Sequence, residues 1–211
     1  MGGRACMDEH PFRDLFDRPF RWPRRGDEPL RRATNILHQA ELPGDAWERM
    51  VLLQAGSMRA GKLLVDSAIA EPRLRWELTL PALYAYRHAI ELGLKWTLVT
   101  YGRAFDVVSP DVHTTHNLKV LWDAFQQLLD AISHPGEEEG NRAARRVVMA
   151  FHEWDKQGDA FRYAVRRDGG AIILREQQID LVRLRDVMEG FANFLGGVDG
   201  ALDAAGSEGP W

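Results

Sequence analysis

The stretch Pro81-Ala-Leu-Tyr-Ala-Tyr-Arg-His-Ala-Ile-Glu-Leu-Gly-Leu-Lys-Trp-Thr-Leu-Val-Thr100 decides how the rest of the chain is read. It has helical pattern and is apolar almost all round, so the helix it forms must be buried. On a wheel of 100° per residue, Leu83, Tyr86, Ile90, Leu94, Leu98 and Tyr101 share one broad face. Ala85, Ala89 and Gly93 make a strip of small residues where a second helix can approach closely. Arg87 projects inside the apolar arc. A charge on a packed face needs a partner, and Glu91 one turn on is the obvious one, with Lys95 a turn further. His88 lies further round. Pro81 suits a first helical turn, so the helix is expected to start there, behind Thr79 or Leu80, and to run to about Tyr101.

Outward from this helix the chain reads as mostly α: an antiparallel helical bundle with one small β-hairpin. Asp45, after the turn Pro43-Gly44, is placed to cap a long helix to about Ala70, with Trp47, Met50, Leu53, Ala60, Leu63, Leu64 and Val65 as its apolar stripe. A short helix is expected over Pro29–Gln39. Downstream, Thr114 or Thr115 opens a helix carrying His116, Leu118, Leu121, Trp122, Phe125, Leu128, Leu129 and Ile132, which Ser133-His134-Pro135-Gly136 ends. Another helix is expected from about Glu138 to Lys156, and a last one from about Asp180 to Leu195. Between them, β-formers at 161–166 and 171–174 flank Arg167-Asp168-Gly169-Gly170, a hairpin signal. The organisation expected is a flexible arm over 1–28, one bundle domain over 29–198 with its hairpin near 161–174, and a frayed tail over 199–211.

Composition narrows the function. With 211 residues, 45% hydrophobic and 27% charged, the chain has the balance of an ordinary globular protein, and seven tryptophans imply a substantial interior. A formal net charge of −4 supplies no global field for nucleic acid, so any RNA contact must be a local patch. Cys6 is the only cysteine, which leaves neither an internal disulfide nor a zinc cage and fits a reducing cytosol. No window is apolar for long enough to span a membrane, and a cytoplasmic protein is expected. The arm holds Phe12, Leu15, Phe16, Phe20 and Trp22, with Arg21, Arg24, Arg25, Arg31 and Arg32 as its basic run. That run reads as a solvated flank or as a phosphate-binding arm.

Three local patterns resemble the HEPN superfamily of small helical bundles. Tyr84-Ala-Tyr-Arg-His-Ala-Ile-Glu-Leu-Gly-Leu-Lys95 is similar to the HEPN helix with an Ala-x-Glu-x-x-Leu-Lys core, here Ala89, Glu91, Leu94 and Lys95. Thr115-His116-Asn117-Leu118 resembles the Thr-His-Asp-Leu that opens the following helix in many members, with Asn117 in place of the acid. Phe161-Arg162-Tyr163 resembles the Arg-Tyr-Pro segment after the third helix, with Ala164 in place of the proline. The set, over roughly residues 75 to 195, resembles a group of bacterial HEPN-like proteins without established activity.

The resemblance implies a protein that binds a nucleotide or RNA, or cuts RNA without metal or cofactor, as a homodimer or with a partner protein in a toxin or phage-defence system. Active HEPN ribonucleases carry Arg followed by His on a late helix. Arg146 and His152, with five residues between them, fit that spacing, whereas Val147 and Val148 stand where a polar residue is usual. His88 with Arg87, or His152 with Arg146, are the candidate catalytic pairs, since RNA cleavage needs a base for the 2′-hydroxyl and a cation for the phosphate. Lys95, Glu91, His116, Arg162 and Tyr163 are the candidate ligand-binding residues. Each has a structural reading beside it. Arg87, Glu91 and Lys95 make a buried ion-pair ladder, His116 a helix-start residue bonded to backbone, and Arg162 with Tyr163 a lock between hairpin and bundle. Convergence of Arg87, His88, His116 and Arg162 at one end of the bundle separates the two. The other reading of the whole is a non-catalytic interaction and dimerisation module. No metal-ligating cluster, cofactor loop or recognisable nucleophile supports a small-molecule enzyme.

Overall fold

A computed structural model describes residues 23, 25–30, 32, 34–107, 111–132, 138–165, 168–174 and 178–207. Most of the expected arm, its aromatic residues, Arg21, Arg24 and Arg31, and the break at 133–136 lie outside these. The chain divides into two units, Met1–Leu42 and Pro43–Trp211. In the first, the helix expected over Pro29–Gln39 reduces to a 3₁₀ turn, Ile36–His38, whose Asn35 side chain accepts from the Leu37 N–H at 2.9 Å.

Among the described residues the second unit has five α-helices: α1 Ala46–Ala70, α2 Arg75–Tyr101, α3 Leu118–Ile132, α4 Glu138–Trp154 and α5 Leu181–Ser207. Asp45 caps α1 as its position implies, Oδ1 accepting from the N–H groups of Trp47 at 2.8 Å and Glu48 at 2.9 Å. The apolar stripe of α1 does not all face inward. Gly61, Val65 and Ala68 are buried, while Trp47, Leu53 and Leu63 are exposed. Gly61 is there for close approach: a Cβ would stand 2.7 Å from the Tyr86 ring.

The central helix starts six residues earlier than Pro81. A 3₁₀ turn, Pro72–Leu74, feeds α2 at Arg75. Thr79 does not cap it; its hydroxyl bonds back to the Arg75 carbonyl at 2.7 Å. Pro81 sits inside the helix on an exposed face, where the bond it omits would have gone to the Glu77 carbonyl. Beyond it the wheel is as expected. Leu83, Tyr86, Ile90, Leu94, Leu98 and Tyr101 are all buried, and Gly93 sits beneath Leu195 of α5 and Gln54 of α1.

Against α2 lies α3, with Leu118, Leu121, Trp122, Phe125, Leu128 and Leu129 all buried. α3 starts at Leu118, later than Thr114 or Thr115, because Asn117 is the cap: its Oδ1 accepts from Lys119 N at 3.0 Å and Val120 N at 3.2 Å. An amide oxygen caps as well as a carboxylate. The last helix continues past Leu195 to Ser207 despite its glycines. Val198 and Leu202 are buried, and the Tyr101 hydroxyl lies 2.9 Å from Asp199 Oδ1 and 2.7 Å from Asp203 Oδ1. Between α4 and α5, pairing among the described residues consists of one antiparallel bridge, Val165 with Ala171, beside the bond from Ile172 N–H to Ala164 O at 2.9 Å. Residues 166 and 167 of the expected hairpin fall outside the description.

Candidate functional site

Arg87 points into the core and is fully engaged there. Its Nη1 donates to Glu91 Oε2 at 2.9 Å and its Nη2 to the His116 carbonyl at 2.8 Å. Its Nε–H donates to the Asp155 carbonyl at 3.2 Å and also stands 3.0 Å from Asp155 Oδ2. Oδ2 itself receives no aligned hydrogen bond, so that half of the pairing is a charge contact. One guanidinium thereby ties α2 to the start of α3 and the end of α4.

Asp155 completes the knot. Its Oδ1 accepts from the N–H groups of Gly158 at 2.7 Å, Asp159 at 2.8 Å and Ala160 at 3.1 Å, folding the chain back after α4. Gly158 is required twice over. Its φ of +84° is left-handed, and a Cβ would stand 3.2 Å from Arg87 Nη1. Glu91 holds three partners at once, adding Lys95 Nζ and His116 Nδ1, each 2.9 Å from Oε1. Burial alone would raise the Glu91 carboxyl, but Lys95, His116 and Arg87 outweigh it and hold the carboxyl below its ordinary value.

Beside this knot lies a second group, in which Tyr84 and His88 are half-buried. Tyr84, His88, Glu91 and Lys95 recur at helical spacing on one stripe of α2. The His88 ring stacks on Tyr84, centroids 5.9 Å apart and planes 10° apart. Arg162 carries its guanidinium 5.5 Å from the Tyr84 ring and 5.3 Å from the Tyr163 ring. Its Nε donates to the Gly158 carbonyl at 2.8 Å, and its two terminal nitrogens have no partner among the described residues. Burial lowers the His88 pKa from its ordinary value; Glu91 opposes this, and Arg87, Lys95 and Arg162 add to it.

His116 belongs to both groups. Its carbonyl accepts from Arg87 and its Nδ1 meets Glu91, yet the side chain is 61% exposed and Nε2 has no partner among the described residues. In a neutral ring, donation of Nδ1–H to the carboxylate leaves Nε2 as the acceptor nitrogen.

The four residues whose convergence was in question therefore meet along one stripe of α2: Arg87 through the His116 carbonyl, His88 beside Glu91, and Arg162 through Tyr84. The late-helix pair is not brought together. Arg146 is 65% exposed and held by Glu139 at 3.1 Å. His152 is buried on the inner side of α4, and its Nδ1 has no partner among the described residues; burial lowers its pKa, Glu153 opposing and Lys156, Arg87 and Lys119 adding. The six-residue step from Arg146 to His152 turns them about 120° apart on the helix.

Sequence reasoning missed Asp155, Gly158 and Tyr84. The signal for the first two was an Asp at a helix end three residues before a Gly, a pattern for carboxylate capping of a turn. For Tyr84 it was the i, i+4 spacing to His88. Among the described residues no group of three His, Cys, Asp or Glu is arranged to hold a metal ion, and no helix is long and apolar enough to cross a membrane. The chain matches no family model, no curated protein and no solved structure.

Proposed function

We propose that this chain is a HEPN-like helical protein that binds a nucleotide or single-stranded RNA on the outer stripe of α2, with Arg162, Tyr84, Tyr163 and His88 as the contact residues. The observation that carries the reading is the Arg162 guanidinium, set against two tyrosine rings with both terminal nitrogens lacking a hydrogen-bond partner among the described residues. Aromatic faces accept a stacked base, and a free guanidinium accepts a phosphate in bidentate fashion. The overall charge of −4 is no obstacle, because the cations are local.

Cleavage without metal is within reach of the same stripe. Glu91 fixes the His116 tautomer, and Nε2 is the group suited to take a 2′-hydroxyl proton. Arg87 acts in this scheme as a positioning residue, holding the His116 backbone from behind. Labelled single-stranded RNA and ATP, titrated without divalent metal against wild type, Arg162→Ala and Tyr163→Ala, test the binding. Loss of affinity by tenfold or more in both variants is expected; a wild type that binds neither ligand defeats the reading. Incubation of RNA with wild type, His116→Ala and His88→Ala tests cleavage separately.

A second reading, a non-catalytic interaction and dimerisation module, is favoured by α1, where Trp47, Val51, Leu52, Leu53 and Leu63 are exposed. Light scattering on wild type and Leu52→Glu separates it: a dimer that the substitution dissociates supports the module, and a monomer in both opposes it.

A further inference from the structure

A groove of ≈ 360 Å³ runs between α2, α4 and α5. Its floor is apolar and aromatic: Phe151 and Phe161 meet edge to face at 6.3 Å, Trp154 leans on Phe161 at 6.4 Å, and Leu184 and Met188 of α5 close the far wall. One lining residue is charged. That residue, Arg183, is exposed at the first turn of α5 and has no side-chain partner among the described residues. The carboxylate nearest in sequence, Asp180, is turned to its own helix, accepting from Arg183 N–H at 3.0 Å, and does not line the groove. The volume falls in the range of small-molecule sites.

We propose that this groove binds a small amphipathic carboxylate, a medium-chain fatty acid or an equivalent hydrophobic monoanion, with the apolar body on the aromatic floor and the carboxylate on Arg183. The charge pattern selects the class. An apolar floor alone takes any hydrophobic body, but a guanidinium at the lip with neither a side-chain partner nor a lining carboxylate among the described residues favours an anion over a neutral or cationic head. The floor belongs to the core, so the site is formed before the ligand arrives: Phe151, Phe161 and Met188 are all buried. This site is independent of the outer stripe of α2 and of what binds there.

Calorimetric titration of the full chain with decanoate, decanol and decyltrimethylammonium, below their micellar concentrations, tests the assignment. Decanoate is expected to bind at least tenfold more tightly than the other two. Arg183→Gln, an exposed change that leaves the floor intact, is expected to erase that preference while decanol binding stays the same. Ala150→Trp, filling the groove from its exposed edge, is expected to weaken all binding at least tenfold with thermal melting unchanged. Decanoate binding no tighter than decanol, binding insensitive to Ala150→Trp, or no binding at all overturns the proposal.

Discussion

Two arginines within a few ångströms of the same turn behave in opposite ways. Arg87 is 4% exposed at its side chain and satisfied by a carboxylate, a second carboxylate's charge and two carbonyls. Arg162 is exposed, fixed by one nitrogen to the Gly158 carbonyl, and otherwise rests on aromatic rings. Both are oriented by the loop after α4. The difference is what remains for a ligand. A buried guanidinium with each of its nitrogens committed holds the fold together, whereas one whose terminal donors face solvent over aromatic faces is available for recognition.

This contrast breaks most visibly on the buried side. Removing one member of a buried ion pair leaves the other charge uncompensated, at a cost of about 3–5 kcal/mol. Arg87→Met or Asp155→Ala is therefore expected to unfold the protein or lower its denaturant midpoint sharply in urea titrations followed by circular dichroism. Gly158→Ala comes next. The left-handed φ alone costs about 1–2 kcal/mol, and the crowded Arg87 guanidinium adds to that, so a clear drop in melting temperature is expected.

Acid acts on the same region through two kinds of group. His88 and His152 have folded pKa values below the ordinary 6.5, so their neutral forms favour folding above pH 6.5, and that contribution is lost as pH falls below it towards the folded values. Glu91 is held below the ordinary 4.5, so its contribution is intact above 4.5 and lost as pH falls through its lower folded value. Melting temperature is thus expected to decline from pH 7 to pH 5 and again below pH 4.5. A profile flat across both windows would contradict the assigned shifts. The smallest effect is expected at Arg146, whose exposed bridge to Glu139 contributes little: Arg146→Ala should change stability by less than about 0.5 kcal/mol in the same urea titration.

The sequence carried the knot further than the surface. Arg87 on an apolar arc demanded a partner, and Glu91 one turn away was the local solution. Asp155 was not legible in the same way, because its pairing depends on where α4 ends relative to α2, which no periodicity encodes. The start of α2 was misread at Pro81, a residue that ends helices when its missing bond matters, and here that bond lies on the solvent side of an otherwise packed helix. The continuation of α5 was hidden by glycines whose low propensity is overridden by Val198, Leu202 and the Tyr101 hydroxyl. Asp45, by contrast, acts through contacts two and three residues away, and local interactions are what sequence reports best.

For the candidate site, the residue types were legible and their exposure was not. Arg87 and His152 look as chemical as Arg162 and His116 in the sequence. Burial divides them, and burial is a property of the packed helices.

The most direct measurement is the affinity of labelled single-stranded RNA for the double variant Arg162→Ala, Tyr163→Ala, taken alongside its melting temperature and those of wild type. Affinity is expected to fall at least tenfold while the melting temperature stays within a few degrees. Unchanged affinity in a folded double variant would contradict it and remove the outer stripe of α2 as the binding surface.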